Sequence, residues 1–315
     1  MIPVLLGVTL VAFMIIHLAP GDPVAVLGGE GIDLDPEQAE RIRAAYGLDQ
    51  PLAGQYLRWL GHVVRGDFGN SLTENRPVME MYRERLPNTL YLNGLAVLLV
   101  YLLAIPIGAM SAMRQYSRFD YAVTIFTFAG DALPGFLIAL LALYLVAMPS
   151  KGVIPMGGIA SYGMKLEKVG LLAFLGDRAR YLLLPLLVLV AQTLTGVTRY
   201  MRSSMLEVIR EEYIQTARAK GLPERVVIFK HALRNALLPV VTLAGAIIPA
   251  LFSGSVIVEQ IFSWPGVGLL GYRAVIQRDY PVIMAFLTLG SVITIIAYLL
   301  VDLLYVTIDP RIKYE

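Results

Sequence analysis

The hydrophobic residues of this chain are gathered into long stretches that few polar residues interrupt. A helix that crosses a bilayer needs about 20 mostly apolar residues. Six stretches fit this description, namely Ile2–Leu18, Asn88–Ala112, Tyr121–Met148, Tyr181–Thr198, Ala236–Ile261 and Val282–Val306. The pattern therefore predicts an all-α, polytopic membrane protein with six transmembrane helices.

The first of these stretches is the shortest, and a secretory signal peptide is the alternative interpretation for it. A signal peptide has a basic segment before its apolar stretch and small residues at a cleavage site. Here no basic residue precedes Ile2, and Leu18-Ala-Pro-Gly-Asp-Pro23 is a poor cleavage sequence. These features favour a transmembrane helix, and they leave open a natural N-terminus further upstream.

The segment 19–87, between the first two spans, is too long for a simple connection and contains helix signals. Asp35 is placed as an N-cap with Gln38 closing a capping box, and Gly47 ends the predicted helix. A second amphipathic stretch covers Leu52–Arg65. We expect a small helical loop outside the membrane that packs against the bundle or docks a soluble partner.

Composition supports the membrane assignment. The chain of 315 residues is 57% hydrophobic and 16% charged, whereas soluble domains average about 45–50% and about 25%. The excess of apolar surface must therefore face lipid, which excludes a soluble protein. The absence of cysteine excludes disulfides, thiolate catalysis and cysteine-bound metal.

The distribution of basic residues predicts the orientation, although the net charge of +2 does not. Cytoplasmic loops of membrane proteins are enriched in Lys and Arg. With a cytoplasmic N-terminus, segments 113–120, 199–235 and 307–315 hold 12 basic residues in 54 positions, against 14 in 121 positions outside. Both termini are therefore predicted to be cytoplasmic.

Polar residues inside the spans are candidates for a transport pathway. Asp131 lies ten residues into the third span, about 15 Å deep at the rise of a helix. A carboxylate there costs about 2.5–3.5 kcal/mol, so it should face the bundle interior or a water-filled cavity. A pathway role and a structural hydrogen bond both remain open. The third span is expected to break locally beside Asp131, at Gly130, Pro134 and Gly135. Gln192 and Glu259 are further candidates, and Glu259 could instead meet water or cap a neighbouring helix.

The inner loop 199–235 has a net charge of +4 and an ordered pattern. Apolar residues from Leu206 to Ala217 fall at helical spacing, Gly221 ends that helix, and a second helix follows Pro223 as far as Pro239. The small residues Ala217, Ala219 and Gly221 stand beside the turn. Small residues at an exposed corner permit close approach by a groove on a partner.

The segment Glu212-Tyr-Ile-Gln-Thr-Ala-Arg-Ala-Lys-Gly221, followed by His231-Ala-Leu-Arg-Asn-Ala-Leu-Leu-Pro239, resembles the EAA loop of ABC-importer permease subunits in the dipeptide, oligopeptide and nickel branch. Further matching segments are Gly47–Pro51, Gly66–Ser71, Gly254–Glu259, Trp264–Gly268 and Asp302–Tyr305 with Asp309–Arg311. Gln215-Thr216-Ala217 stands where the general motif has Glu-Ala-Ala, a departure typical of the peptide branch.

This resemblance implies a type I ABC-importer permease fold in a bacterial inner membrane. It implies a transmembrane helix at 1–18, an extracytoplasmic helical loop at 19–87, and a five-helix core at 88–315 with the coupling loop at 199–235. The residues implied to couple transport to an ATPase are Glu212, Gln215, Thr216, Ala217, Arg218, Ala219, Lys220 and Gly221. The implied partners are a second homologous permease subunit, two cytoplasmic subunits that use ATP and Mg, and an extracytoplasmic binding protein.

Other functional classes lack support in the sequence. It contains no phosphate-binding G-x-x-x-x-G-K-[ST] motif, and its three histidines have no metal-ligand spacing. We therefore expect no catalytic site, no bound cofactor or metal, and no nucleic-acid partner. Peptides are the expected substrates, with nickel or glutathione as alternatives. A secondary transporter that carries protons through Asp131, or an intramembrane enzyme, is a weaker alternative.

Overall fold

The computed structural model describes residues 2–18, 50–164 and 166–308. In chain order its α-helices are α1 (Ile2–Leu18), α2 (Leu52–Val63), α3 (Val78–Met113), α4 (Arg118–Ala132), α5 (Gly135–Ala142), α6 (Leu166–Val169), α7 (Leu171–Ile209), α8 (Glu212–Ala219), α9 (Glu224–Val226), α10 (Leu233–Ser253), α11 (Val256–Ile261), α12 (Val267–Gln277) and α13 (Tyr280–Ile308). Turns of π-helix at Leu143–Ala147 and Val227–Ala232 extend α5 and precede α10. The described residues are thus all-helical apart from turns and one isolated bridge, as predicted.

Four helical segments among the described residues are long and apolar enough to cross a membrane. They are Val78–Met113, Leu171–Ile209, Glu224–Leu243 and Tyr280–Leu299, and a bent pair of helices at 118–150 makes a fifth. The first helix, α1, has 17 residues and packs against α13. A polytopic membrane fold is therefore confirmed, and the count of six spans stays a prediction.

The centre of the bundle is the contact between α3 and α7, which have 36 and 39 residues. Gly108 of α3 lies so close to α7 that a Cβ atom there would be 2.7 Å from the Cβ of Met201. Met201 and the neighbouring Met205 are fully buried in this contact. Small residues let membrane helices approach closely and gain dispersion contacts, which explains why this pair forms the core.

Both central helices are longer than the sequence predicted. The helix α3 begins at Val78, before the predicted Asn88, and continues through Pro87. The helix α7 extends beyond both ends of Tyr181–Thr198, so residues 199–209 are helical and not part of a loop. Hydropathy marks the part of a helix that faces lipid, whereas packing against other elements can extend the helix into water.

Two predicted spans are broken. The helices α4 and α5 meet at 98°, because Pro134 has no N–H to continue α4 and holds Leu133 in an extended conformation. The sequence predicted this local break. The prediction of one continuous helix over Ala236–Ile261 is wrong, because Gly254 has a φ of +78° and separates α10 from α11.

The outer segment packs on the bundle where it is described. The helix α2 confirms the second predicted helix, and its Tyr56 hydroxyl lies 3.0 Å from Thr9 Oγ1 of α1. Beyond α2, the buried Asp279 accepts hydrogen bonds from Ser71 Oγ and from the Leu72 amide, at 2.5 and 3.1 Å. The helix predicted to begin at Asp35 lies outside the described residues.

Candidate functional site

The short helix α8 stands apart from the end of α7. The sequence predicted one helix through both, but the chain turns at Arg210 and Glu211, whose amides bond to the carbonyls of Glu207 and Val208 at 3.1 Å. Glu211 then has the extended backbone of an N-cap residue, and α8 begins at Glu212. The turn reorients the chain, so that α8 forms a separate eight-residue element.

One face of α8 belongs to the core of the molecule. Ile214 is fully buried and Ala217 is 8% exposed, and both join the same buried cluster as Val227, Ile228 and Ala232. Ala217 therefore lies inside and not at the exposed corner where the sequence placed it. Its small side chain allows α8 to pack against the turn of π-helix that leads into α10.

The other face of α8 is exposed to solvent. The remaining residues predicted to couple to an ATPase are all exposed in this chain, and these are Glu212, Gln215, Thr216, Arg218, Ala219, Lys220 and Gly221. An open recess of about 520 Å³ adjoins this face at Glu207, Arg210 and Glu211. The structure thus offers a firmly anchored helix with an accessible outer surface.

The end of α8 is a Schellman motif centred on Gly221. The Gly221 amide donates to the Arg218 carbonyl at 2.9 Å, and the Leu222 amide donates to the Ala217 carbonyl at 3.4 Å. Gly221 has a φ of +75°, which L-residues with side chains rarely adopt. The predicted end of the helix at Gly221 is confirmed, and the structure gives the reason for glycine there.

An ion pair connects this turn to the next helix. Arg218 donates from Nη2 and Nε to the two carboxylate oxygens of Glu224, at 2.8 and 3.3 Å. The hydrogen bond and charge of Glu224 raise the pKa of the Arg218 guanidinium above its usual value. Because both side chains are exposed, the pair fixes geometry more than it adds stability.

A second polar region lies between α4 and α7, and we call it the polar seam. Asp120 and Asp131 are eleven residues apart on α4, which is about three turns and places them on one face. Asp120 is buried, and it accepts hydrogen bonds from Arg202 Nε at 2.6 Å and from Ser111 Oγ at 2.5 Å. Asp120 and Arg202 are not among the residues predicted from sequence, because they fall in segments predicted as loops, 113–120 and 199–235.

The other end of the polar seam contains two of the predicted pathway residues. Asp131 accepts a hydrogen bond from Thr195 Oγ1 at 2.7 Å and forms an ion pair with Arg199. Gln192, one turn from Thr195, donates to the Gly135 carbonyl at 3.4 Å. Asp131 therefore lies just before the break between α4 and α5, and Gln192 of α7 contacts the first residue after it. The structural hydrogen bond predicted as one alternative for Asp131 is present.

Two glycines make the close contact of α4 and α5 with α7 possible. A Cβ atom on Gly130 would lie 2.3 Å from Thr195 Cγ2, and one on Gly135 would lie 2.4 Å from Gln192 Oε1. Real Cβ atoms essentially never approach other atoms so closely. The polar seam therefore depends on the absence of side chains at Gly130 and Gly135.

Glu259, the third predicted pathway residue, lies elsewhere. It is fully buried, and its carboxylate accepts hydrogen bonds from the Leu269 amide at 2.9 Å and from Thr89 Oγ1 at 3.1 Å. These contacts cap the first turn of α12 and attach it to α3. The predicted capping role is confirmed, whereas contact with water is wrong for this chain.

Within the residues that the structure describes, no three histidine or carboxylate side chains come close enough together to hold a metal ion. Two family models together match most of the chain. Residues 1–93 match the N-terminal part of membrane components of binding-protein-dependent transport systems. Residues 104–314 match the inner membrane component of these systems. The chain belongs to this family.

Named relatives agree with that assignment over nearly their whole length. The chain is 44% identical to the oligopeptide transport system permease protein AppB of Bacillus subtilis, over 99% of this chain and 96% of the relative. It is 37% identical to the dipeptide transport system permease protein DppB of Escherichia coli K12, over 100% and 96%. The di/tripeptide permease DppB of Pseudomonas aeruginosa is 38% identical over the same shares. The resemblance to ABC-importer permeases is confirmed, and the chain is an inner-membrane permease.

Proposed function

We propose that this permease forms part of the pathway through which an ATP-driven importer moves dipeptides and oligopeptides into the cell. The peptide specificity is supported by the relatives, which are named as peptide permeases at 37–44% identity. The coupling to ATP hydrolysis is supported by the structure of α8, which is anchored by buried Ile214 and exposed to solvent on its other face.

The proposed complex contains a second homologous permease subunit, two ATP-binding subunits and an extracytoplasmic binding protein. We assign ATP and Mg to the ATP-binding subunits, because the sequence of this chain has no phosphate-binding G-x-x-x-x-G-K-[ST] motif. A second permease subunit would enclose, together with this chain, a water-filled pathway lined by the exposed end of the polar seam, where the side chains of Asp131 and Arg199 are 33% and 49% exposed. Charges at membrane depth are expensive to expose to lipid, so such a surface needs protein or water beside it.

We assign α8 to the cytoplasmic side, with both chain termini, because the segment from 199 to 235 is rich in basic residues. The helix α8 follows the end of α7 directly and packs on the turn of π-helix that leads into α10. A movement of α8 imposed by a closing ATPase pair would therefore displace α7 and α10 together. That displacement would switch the pathway between outward-facing and inward-facing states.

Reconstitution tests this proposal. The chain is co-expressed with the partners encoded beside its gene, purified, and placed in proteoliposomes with ATP supplied on the α8 side. We expect uptake of a labelled dipeptide or tripeptide that requires both ATP and the binding protein. Uptake of nickel or glutathione instead would overturn the peptide substrate. Transport by this chain alone, driven by a proton gradient without ATP, would overturn the importer.

A further inference from the structure

The two ends of the polar seam differ in exposure. Asp120 and Arg202 are enclosed by the protein, with 4% and 27% of their side chains exposed, whereas Asp131 and Arg199 are 33% and 49% exposed. Asp131 lies 13 residues after the start of α4, about 20 Å along the helix at 1.5 Å per residue. An accessible ion pair at this depth faces a water-filled space more favourably than lipid.

The hydrogen-bonding capacity of the exposed pair is only partly used. A carboxylate has about four acceptor positions and a guanidinium about five donors. Among the described residues, Asp131 accepts from Thr195 and Arg199, and Arg199 donates to Asp131. Asp120, by contrast, receives Arg202 in a bidentate geometry together with Ser111 and the Tyr116 amide. The exposed pair therefore presents one group of each charge with positions still available.

We propose that Arg199 and Asp131 form a binding subsite for zwitterionic solutes within the pathway. Arg199 receives the carboxylate of the solute, and Asp131 receives its ammonium group. This inference rests on the proposed function, because a peptide with free ends carries both groups.

When a zwitterionic solute binds, Arg199 and Asp131 exchange each other for the two charged groups of the solute, and every charge stays paired. Arg199 replaces one carboxylate by another, Asp131 replaces a guanidinium by an ammonium group, and Thr195 Oγ1 can remain a donor to Asp131. Removing one partner from a partly exposed ion pair leaves the other charge uncompensated on the side that the protein shields from water, which is unfavourable. A solute with one blocked end would impose that imbalance, so this subsite distinguishes peptides with free ends from blocked ones.

The test uses the complete reconstituted transporter and one dipeptide in three forms, which are free at both ends, amidated at the carboxyl end, and acetylated at the amino end. The binding protein is loaded to saturation with each form, and initial uptake rates are compared as ratios between forms. Selectivity of the binding protein is the same for every permease variant. A change in the ratio between variants therefore reports the permease alone.

Arg199→Gln is expected to lower the preference for the free over the amidated carboxyl end by about tenfold, as loss of a charge-assisted contact does. Its preference for the free over the acetylated amino end should stay unchanged. Asp131→Asn is expected to lower the preference for the free over the acetylated amino end and to leave the preference for the free carboxyl end unchanged. Arg180→Gln is the matched control, because Arg180 is also on α7, pairs with Asp177, and is 46% exposed.

The double variant Asp131→Asn, Arg199→Gln covers the case in which a single variant does not assemble, because it leaves no unpaired charge. It should lose both preferences. Equal slowing of all three peptide forms, or unchanged ratios, would overturn the subsite while leaving the importer intact. Absence of ATP-dependent uptake of any form by the unmodified complex would instead reject the proposed function, and the subsite with it.

Discussion

Arg202 donates from Nε and Nη2 to the two carboxylate oxygens of Asp120, at 2.6 and 2.9 Å. This bidentate pair joins α7 to the first turn of α4, and Ser111 adds a contact from the end of α3. The pair therefore connects three helices at one point. The accessible end of the polar seam is therefore the other one, at Asp131 and Arg199.

Breaking this pair should destabilise the assembled protein. Asp120→Asn removes one charge and leaves Arg202 largely buried without its counter-charge, which costs about 3–5 kcal/mol in comparable sites. We expect a lower midpoint of thermal inactivation for the purified complex. The double variant Asp120→Asn, Arg202→Gln should recover much of the loss, and Arg76→Gln, whose partners Glu80 and Glu84 are both exposed, should change the midpoint little. Equal losses in the single and double variants would show that the charge pair is not the cause.

A methyl group at Gly130 should disrupt the contact between α4 and α7. Gly130→Ala places a Cβ atom 2.3 Å from Thr195 Cγ2, and overpacking of this kind costs about 1–3 kcal/mol. Thr195→Ser removes Cγ2 and keeps the hydroxyl that bonds to Asp131. We expect the combination of Gly130→Ala with Thr195→Ser to restore thermal stability. No recovery in the combination would mean that backbone displacement, not the methyl contact, dominates.

Gly221 should be required for coupling. Gly221→Val forces a β-branched residue into a backbone with φ of +75°, at a cost of about 1–2 kcal/mol. The space around the position is open, so the change acts through the backbone and not through a clash. We expect ATP hydrolysis to continue while transport falls, with Gly221→Asn less affected. Gly61→Val, at an equally open position in α2, is the control and should keep transport. Full transport by Gly221→Val would contradict the prediction.

Glu259 should affect stability and not selectivity. Glu259→Ala removes the acceptor for the Leu269 amide and for Thr89, and leaving buried donors unsatisfied costs about 1–3 kcal/mol each. We expect lower thermal stability but unchanged uptake ratios among the three peptide forms. Glu259→Gln keeps the size and should lose less. An altered ratio in either variant would place Glu259 in the pathway.

The absence of cysteine makes the orientation directly measurable. His62→Cys on α2 and Arg114→Cys after α3 each introduce one thiol at an exposed position. We expect a membrane-impermeant maleimide added to intact cells to label His62→Cys only. Arg114→Cys should react once the membrane is permeabilised, and the reverse pattern would invert the topology.

Local chemistry in the sequence predicted several features of the site. Pro134 predicted the break between α4 and α5, and Gly221 predicted the end of α8, because each acts through the backbone of its own neighbourhood. The depth of Asp131 predicted a buried or pathway environment. The pattern of apolar residues predicted an amphipathic helix over Leu52–Arg65, which the structure shows at Leu52–Val63, and hydropathy predicted the membrane class as a whole.

Contacts between distant segments could not be predicted in this way. Arg199 and Arg202 lie in a basic segment that is typical of a cytoplasmic loop. Only the extension of α7 into this segment brings them beside Asp131 and Asp120. The burial of Ala217 likewise depends on the turn of π-helix that packs on α8.

The sequence by itself determined that this protein is a helical membrane protein, because lipid requires long apolar stretches and backbone breaks act locally. The resemblance of Glu212–Gly221 and its neighbouring motifs to a known family added that it is a permease. The tertiary structure alone decided which charges are enclosed and which remain accessible. That distinction depends on where α3 and α7 both pack on α4, as they do around Asp120, and no local pattern of residues contains this arrangement.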